Sequence, residues 1–373
     1  MKSQELTGGP ERNYGIDLMR IVSMLMVLTL HVLGQGGVLG STRLFTVKNQ
    51  LAWLMEVGAY GAVDCFALIS GYAGYKTRHK GSSLLHMCLQ ILFYTLGITA
   101  LFLIYAPELA TLEDLWKSTV PFAYNYYWYF TGYMGLFFFM PALDLVVDKL
   151  PEQQAKKLVA AIVVLFSVVP ALFNSDVFRT YSGYSMVWLG MMYLIGAFVR
   201  KYEVGKKWKN WVFLMIYFAC TLIAWGSRQG SEWLCHHLTG EAKRYSGLVS
   251  YTSPAMVIGS VALLIWFSRL KIRGVFTKII GFFAPLAFNV YIIHLHPLLW
   301  KNVMKGCFKS FAAYPSVQMM LAVLGAVAGI FLVCVFIDAG RKSLFELLHV
   351  KTGCEKFIQL ISRPFRRKDK VMQ

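Results

Sequence analysis

The sequence predicts an all-α, polytopic membrane protein with about ten transmembrane helices. Hydrophobic residues make up 57% of its 373 residues and charged residues only 15%, whereas a soluble domain carries about 25% charged residues. The apolar stretches are near the roughly 20 residues that an α-helix needs to cross a bilayer. The alternation of apolar and polar residues that is typical of a membrane barrel is absent. Most of the chain is therefore expected to lie in the membrane as helices.

Ten apolar segments carry this prediction, and no long polar linker separates them. The first segment starts with Asp17 and Arg20, and no small-residue cleavage site follows it. We therefore interpret it as a span and not as a cleavable signal peptide. Seven scattered cysteines without a CxxC pair do not indicate a disulfide framework. The ten segments are 15–34, 50–74, 84–105, 126–146, 156–173, 184–200, 210–227, 247–268, 279–300 and 317–340.

Lys and Arg residues are unevenly distributed between the loops. Of the 37, 26 lie in the N-terminal segment, every second loop and the C-terminal tail, and 10 lie in the remaining loops. By the positive-inside rule, both termini are expected in the cytoplasm, and the net charge of +18 needs no nucleic-acid partner. We divide the chain into a membrane domain at 1–345 and a basic cytoplasmic tail at 346–373. The expected location is the plasma membrane, with multiple spans in the bilayer.

The first span carries ionisable side chains in an otherwise uncharged run. Asp17 precedes Arg20 by one turn, so the two can pair. Arg20 and His31 are 11 residues apart, which is about 1100° of helix, so they share one face roughly 16 Å apart. Ionisable groups within a membrane helix are functional candidates by default. The alternative is that Asp17 and Arg20 only anchor the helix at the interface while His31 satisfies a neighbour.

This arrangement favours a ligand that is anionic at one end and reactive at the other. The guanidinium groups of Arg12 and Arg20 suit phosphate, which they bind through paired hydrogen bonds. The imidazole of His31 suits proton transfer from a hydroxyl group. We therefore expect the polar head of a cytoplasmic donor near the arginines, with its reactive end reaching towards His31.

The second span contains a carboxylate near its middle and a Ser-Gly-Tyr sequence near its inner end. A bare carboxylate at this depth is expected to be neutral or paired, and we predict Arg20 as the partner of Asp64. Glycine in such a position lets a ligand or another backbone approach closely. Ser70, Gly71 and Tyr72 are therefore candidates for ligand binding, with tight helix packing as the equally weighted alternative.

The outer half of the bundle is predicted to contain a polar layer. Counting along the helices places His31, His294, His296 and Glu56 at comparable heights. His294 and His296 are about 200° apart on a helix, and a zinc site needs three or four converging ligands. No metal site is therefore predicted.

Aromatic and amide side chains provide further candidates for a pocket. Trp128 and Tyr129 belong to an aromatic cluster that indicates an interfacial belt, with the lining of a sugar-binding mouth as the alternative. Asn289 and Tyr291 precede His294 on the same span.

Three motifs of the sequence occur together in a known family. They are Arg12-x4-Asp17-x2-Arg20-x10-His31, Gly61-x-Val63-Asp64-x-Phe66-x2-Ile69-Ser70-Gly71-Tyr72, and Tyr291-Ile-Ile-His294. The first two motifs are specific together, whereas the third alone is weak. On these motifs the sequence resembles the acyltransferase 3 family, integral membrane O-acyltransferases of bacterial surface glycans, over essentially all ten predicted helices.

The resemblance implies an acyl-CoA donor, generally acetyl-CoA, on the cytoplasmic side and a hydroxyl acceptor such as a surface polysaccharide on the far side. It also implies that Arg20 and His31 are the functional pair, and no tightly bound cofactor is expected. Catalytic roles are assigned to His31, as general base, and Asp17. Donor binding is assigned to Arg12, Arg20, Ser70, Gly71 and Tyr72, and further pocket positions to Glu56, Asp64, Trp128, Tyr129, Asn289, Tyr291 and His294.

The alternative function is a transporter or flippase for a polar small molecule, in which the same charged axis forms a proton or substrate path. Against it, the sequence shows no pair of Gly- or Pro-interrupted spans at corresponding positions of two halves.

Overall fold

A computed structural model describes residues 12–77, 79–241 and 248–369, which form an α-helical bundle without β-strands. Every predicted span coincides with one helix or with consecutive helices. The helices are α1 (Tyr14–Leu33), α2 (Val38–Ser41), α3 (Val47–Ala59), α4 (Ala62–Gly74), α5 (Gly81–Tyr105), α6 (Leu112–Thr119), α7 (Trp128–Lys149), α8 (Glu152–Val163), α9 (Val169–Phe173), α10 (Met186–Lys201), α11 (Asn210–Thr239), α12 (Pro254–Ser268), α13 (Val275–Phe283), α14 (Ala287–His294), α15 (Pro297–Leu299), α16 (Ser316–Leu347) and α17 (Val350–Asp369).

Within the described part of the chain, eight helical segments are long and apolar enough to cross a membrane. The other two predicted spans correspond to shorter helices, α10 with 16 residues and α12 with 15 residues. At 1.5 Å per residue they are about 23 Å long, less than the hydrocarbon core of about 30 Å. Both are mostly buried against other helices, which limits their contact with lipid. The all-α, polytopic membrane class is confirmed, with two helices shorter than predicted.

Helix α1 lies at the centre of the bundle, where it contacts α3, α4, α12, α13, α14 and α16. Asn13 caps it, because its side chain accepts hydrogen bonds from two backbone N–H groups of the first turn. The same side chain donates to the carbonyl oxygen of Ser268 at 2.8 Å. A Cβ atom at Gly15 would lie 2.0 Å from the carbonyl oxygen of Phe267, so this approach to α12 requires glycine. These contacts position the first turn of α1.

Two spans contain a break in the helix, whereas α8 continues into α9 through a π-helical segment, Val164–Val168. The second span consists of α3 and α4, which meet at Tyr60 and Gly61, and the ninth consists of α13 and α14, which are separated by residues 284–286. Pro285 lies in the second break, where its missing N–H group prevents a continuous hydrogen-bond ladder. The second and ninth spans are not at corresponding positions of two halves, so the breaks do not form the matched pair that is typical of transporters.

Helices α4 and α10 approach each other at two glycines. A Cβ atom at Gly71 would lie 1.8 Å from the carbonyl oxygen of Tyr193, and one at Gly196 would lie 2.1 Å from that of Leu68. Small residues at such crossings allow helix backbones to pack closely in membranes. The side of α4 that bears Gly71 therefore faces α10.

The C-terminal end of the described chain is a helix that returns to the bundle. Helix α17 packs against α5 and α16, and the thiol of Cys354 is buried there. The division between a membrane domain at 1–345 and a tail at 346–373 remains a prediction. The last residues of the tail, 370–373, lie outside the described residues.

Candidate active site

A charged cluster occupies the first turns of α1. The carboxylate of Asp17 is buried, and it accepts hydrogen bonds from Nε of Arg12 and Nη1 of Arg20. Both guanidinium groups are partly exposed, with 49% of the Arg12 side chain and 36% of the Arg20 side chain accessible. Two positive groups share one carboxylate, so one positive charge remains to attract an anion. The carboxylate of Asp17 therefore fixes one side of each guanidinium group.

A cavity of about 500 Å³, here called the basin, opens beside Arg20 between α1, α4, α5, α7 and α14. Its size lies within the range of about 300–1,000 Å³ that is usual for small-molecule sites. The break at Pro285 contributes to its wall. The polar side chains that line the basin are Arg20, Ser70, Thr77, His79, Lys80, Ser83 and Gln90.

His31 and His294 form a hydrogen-bonded pair near the other end of α1. The distance from Nδ1 of His31 to Nε2 of His294 is 2.8 Å, and Nδ1 of His294 lies 2.5 Å from the carbonyl oxygen of Val290. A carbonyl oxygen only accepts, so Nδ1 of a neutral His294 carries the proton and its Nε2 atom is an acceptor. His31 therefore donates from Nδ1, which leaves its Nε2 atom with the free lone pair.

A second, narrower cavity adjoins this pair. It measures about 50 Å³ and is lined by His31 together with aromatic side chains from several helices. Trp300 supports the His31 ring from the edge, with ring centroids 4.8 Å apart. Phe66, Tyr129 and Phe288 line both this cavity and the basin. These three rings therefore form a shared wall between the His31 cavity and the basin.

Comparison with protein-family models supplies the identification. The model of the acyltransferase domain Acyl_transf_3 matches residues 13–339, which is nearly the whole chain. The chain belongs to the acyltransferase 3 family. Searches of curated proteins and of solved structures found no match. The sequence resemblance is confirmed, and the protein is a multi-pass membrane acyltransferase.

The acyltransferase family match does not test individual residues, but the structure shows where each candidate lies. Ser70 lines the basin, whereas Gly71 and Tyr72 do not. Gly71 packs against Tyr193 on α10. The carbonyl oxygen of Tyr72 accepts a hydrogen bond from Arg200 at 2.9 Å. For these two residues the structure favours the packing alternative, because they lie on the α10 side of α4.

The predicted ion pair between Arg20 and Asp64 is not formed. Arg20 bonds to Asp17, its near neighbour on the same helix. Asp64 is fully buried, and its Oδ1 atom accepts a hydrogen bond from the indole N–H of Trp188 at 2.9 Å. Position along the membrane normal was therefore insufficient to identify the partner, since the side chain of Asp64 points towards α10.

The residues that were predicted to share an outer polar layer lie at different sites. His296 caps α15 and lies 3.3 Å from Oγ1 of Thr99, so it is not part of the His31 pair. Glu56 is buried close to Arg228 on α11. It does not line the His31 cavity. Among the described residues, no group of three His, Cys, Asp or Glu side chains could hold a metal ion.

The remaining pocket candidates divide between the His31 cavity and a separate network. Trp128, Tyr129 and Tyr291 line the cavity. Asn289 instead donates to Oδ2 of Asp338 at 3.1 Å and to Oε1 of Gln90 at 2.9 Å. This places Asn289 on the side of α14 that faces α5 and α16.

Several residues that line these cavities were not predicted as site residues from the sequence. Tyr251 lines the His31 cavity, and its only sequence signal is aromatic character near the start of the predicted span 247–268. His79 and Lys80 line the basin, and Nε2 of His79 lies 2.8 Å from Oδ2 of Asp144. The only sequence signal of Lys80 is its positive charge in a loop on the side where Lys and Arg are concentrated. Asp338 lines neither cavity but bonds to Asn289. It could have been predicted as a candidate, since it is an ionisable residue within the last apolar span.

Proposed function

We propose that this acyltransferase moves an acyl group, which we expect to be acetyl, from cytoplasmic acyl-CoA to a hydroxyl group of an extracytoplasmic glycan. The observation that carries the proposal is the arrangement along α1, where a cationic basin at Arg20 adjoins a cavity with the His31–His294 pair. The distribution of Lys and Arg supports a cytoplasmic position for the basin. The plasma membrane is the expected location.

The donor enters the basin with its phosphates towards the arginines. Arg20 binds the pyrophosphate of CoA through charge-assisted hydrogen bonds, and Arg12 adds positive charge at the mouth. Asp17 holds both guanidinium groups in place. The rise from Arg20 to His31 is about 16 Å, which the extended arm between the pyrophosphate and the thioester spans. Acyl-CoA is a substrate in this scheme and not a resident cofactor.

The chemical step is acyl transfer with His31 as general base. Nε2 of His31 takes the proton of the acceptor hydroxyl as the hydroxyl oxygen attacks the thioester carbonyl carbon. The tetrahedral intermediate collapses, the C–S bond breaks, and the departing thiolate takes the proton from His31 to give free CoA and the ester. General-base assistance of this kind contributes about 10²- to 10⁴-fold to the rate.

His294 is a positioning residue in this scheme. Because its Nδ1 proton is held by the carbonyl oxygen of Val290, its Nε2 atom is available to accept from His31. This contact selects the tautomer in which Nε2 of His31 is unprotonated. The shared wall of Phe66, Tyr129 and Phe288 excludes water from the thioester, which limits hydrolysis.

The test is transfer of radiolabelled acetyl from acetyl-CoA to added glycans by purified protein reconstituted in sealed vesicles. Wild-type protein is expected to label the glycan, and His31→Ala is expected to reduce the rate about 10²- to 10⁴-fold. His237→Ala is the matched control, because His237 is exposed on α11 and remote from both cavities.

Two results would contradict the proposal. Near wild-type transfer by His31→Ala would remove His31 from the chemistry. Movement of solute across the vesicle membrane without any labelled product would identify a transporter instead.

A further inference from the structure

A second polar cleft lies beside the basin, at the same end of the bundle. It is formed by the start of α5, the break between α13 and α14, and the turn from α16 to α17, and measures about 380 Å³. We call it the C-terminal cleft. The cleft is lined by one acidic side chain, that of Glu346, and by five basic or imidazole side chains. They are His86, Arg341, Lys342, His349 and Lys351.

The path of the chain explains why these basic groups converge. His349 stands between α16 and α17 with φ of 52°, in the left-handed region that a non-glycine residue adopts mainly in turns. The turn brings Lys351, at the start of α17, back towards the end of α16. Packing of α17 against α5 holds the arrangement, with Cys354 buried in the contact.

The positive charges of the cleft are not equally available. Arg341 is buried and bonds to both carboxylate oxygens of Asp338, at 2.8 and 3.0 Å, so its charge is balanced within the wall. Lys342 reaches Glu346 only at 3.9 Å. Lys351 is exposed and has no acidic partner within 4.0 Å among the described residues. The two lysine ammonium groups are therefore the groups available to an anion.

The C-terminal cleft adjoins the basin. Gln90 and Pro285 line both cavities. The side chain of Gln90 is fixed between them, since its Oε1 atom accepts from Asn289 at 2.9 Å and its Nε2 atom lies 2.8 Å from Nδ1 of His86. The basin and the C-terminal cleft therefore meet at Gln90 and Pro285, so the two ends of one long ligand can lie on either side of Gln90.

We propose that the C-terminal cleft binds the nucleotide end of the donor through its 3′-phosphate, with Lys342 and Lys351 as the binding groups. This rests on the proposed function, in which the CoA pyrophosphate lies at Arg20. From there the pantetheine arm extends to His31, and the nucleotide extends in the other direction, into the cleft. A phosphomonoester carries a charge of about −1.5 to −2 and three acceptor oxygens, which matches two compact ammonium groups.

The test compares binding of acetyl-CoA with binding of its 3′-dephospho analogue, which differs only at the phosphomonoester. Calorimetry in neutral detergent is expected to show that wild-type protein prefers acetyl-CoA by about tenfold or more, as loss of charge-assisted hydrogen bonds implies. In the double variant Lys342→Gln/Lys351→Gln the preference is expected to fall below about twofold. Affinity for the dephospho analogue should stay unchanged, which also shows that the variant is folded.

The matched control is Lys356→Gln. Lys356 is an exposed lysine of the same helix that does not line the cleft, so this variant should keep the full preference. A repeat in lipid nanodiscs that contain anionic phospholipid should give the same preference as detergent.

Each contrary result has a distinct meaning. Equal affinity of wild-type protein for both donors, or an undiminished preference in the double variant, overturns the assignment of the cleft to the 3′-phosphate. The proposed function is not affected by either result, because the protein still binds acyl-CoA. Loss of the preference only in anionic nanodiscs means that lipid headgroups occupy the cleft, which also overturns it. Failure of wild-type protein to bind either donor overturns the proposed function itself.

Discussion

Replacement of His294 by alanine tests whether the histidine pair sets the chemistry of His31. The 2.8 Å contact from His31 to His294 is the hydrogen bond that fixes the His31 tautomer. Without it, Nδ1–H of His31 loses its acceptor, which costs about 1–3 kcal/mol for a buried donor. If that cost appears in the transition state, kcat falls about 5- to 150-fold, because 1.36 kcal/mol is tenfold in rate.

The assay is the initial rate of acetyl transfer as a function of acetyl-CoA concentration. We expect the loss in kcat with KM for acetyl-CoA unchanged, since the basin lies on the other side of the aromatic wall. His294→Gln should recover part of the rate, because a carboxamide oxygen can accept from Nδ1 of His31.

The control is His296→Asn, two residues away. Asparagine retains the capping function at the start of α15, and His296 does not contact His31, so kcat should remain near wild type. Full activity of His294→Ala, or an equal loss in His296→Asn, would refute the proposed coupling between the two histidines.

Three further predictions concern the wall, the charged cluster and the helix contact. Phe288→Ala removes one ring between basin and cavity, so hydrolysis of acetyl-CoA without acceptor should rise severalfold, measured as release of free thiol. Asp17→Asn leaves the guanidinium of Arg20 without its anchor, so KM for acetyl-CoA should rise about tenfold, as loss of a charge-assisted hydrogen bond implies. Gly71→Ala places a Cβ atom 1.8 Å from the carbonyl oxygen of Tyr193, so the midpoint of thermal unfolding in detergent should fall.

Each of these predictions has a control or a contrary outcome. Phe282 is exposed on α13 and does not line the wall, so Phe282→Ala should not increase hydrolysis. An unchanged KM in Asp17→Asn would mean that the carboxylate does not orient the donor site. Gly97→Ala introduces a methyl group with nothing within 4 Å, and equal thermal stability of Gly71→Ala and Gly97→Ala would contradict the packing argument.

The order of charged residues in α1 could be predicted because it depends only on helical geometry. Asp17, Arg20 and His31 are on one helix, so their separation and common face follow from 3.6 residues per turn. The partner of His31 could not be predicted in this way. His294 lies 263 positions away, and its contact depends on the height and rotation of α14, which the break at Pro285 changes.

The wrong partner predicted for Asp64 and the unpredicted contacts of Asn289 have the same physical cause. Hydropathy and loop charge determine the depth of a side chain in the membrane, but they do not determine its direction around the helix axis. Asp64 has a depth compatible with Arg20 but points to Trp188. Asn289 shares a span with His294 but points to Asp338. Rotation is set by neighbours such as the α4–α10 contact at Gly71.

The sequence by itself determined the membrane class, the approximate position of the helices and the charged axis of α1, because these depend on composition and on periodicity within single helices. The family followed from the resemblance of its motifs, which the family match bears out. Only the tertiary structure decided which rings separate the basin from the His31 cavity, which group bonds to the buried carboxylate of Asp64, and that the C-terminal helix folds back to form a basic cleft. Those features require side chains from distant segments to meet. Hydrophobicity along one helix can be seen in the local sequence, but the contacts between two distant helices cannot.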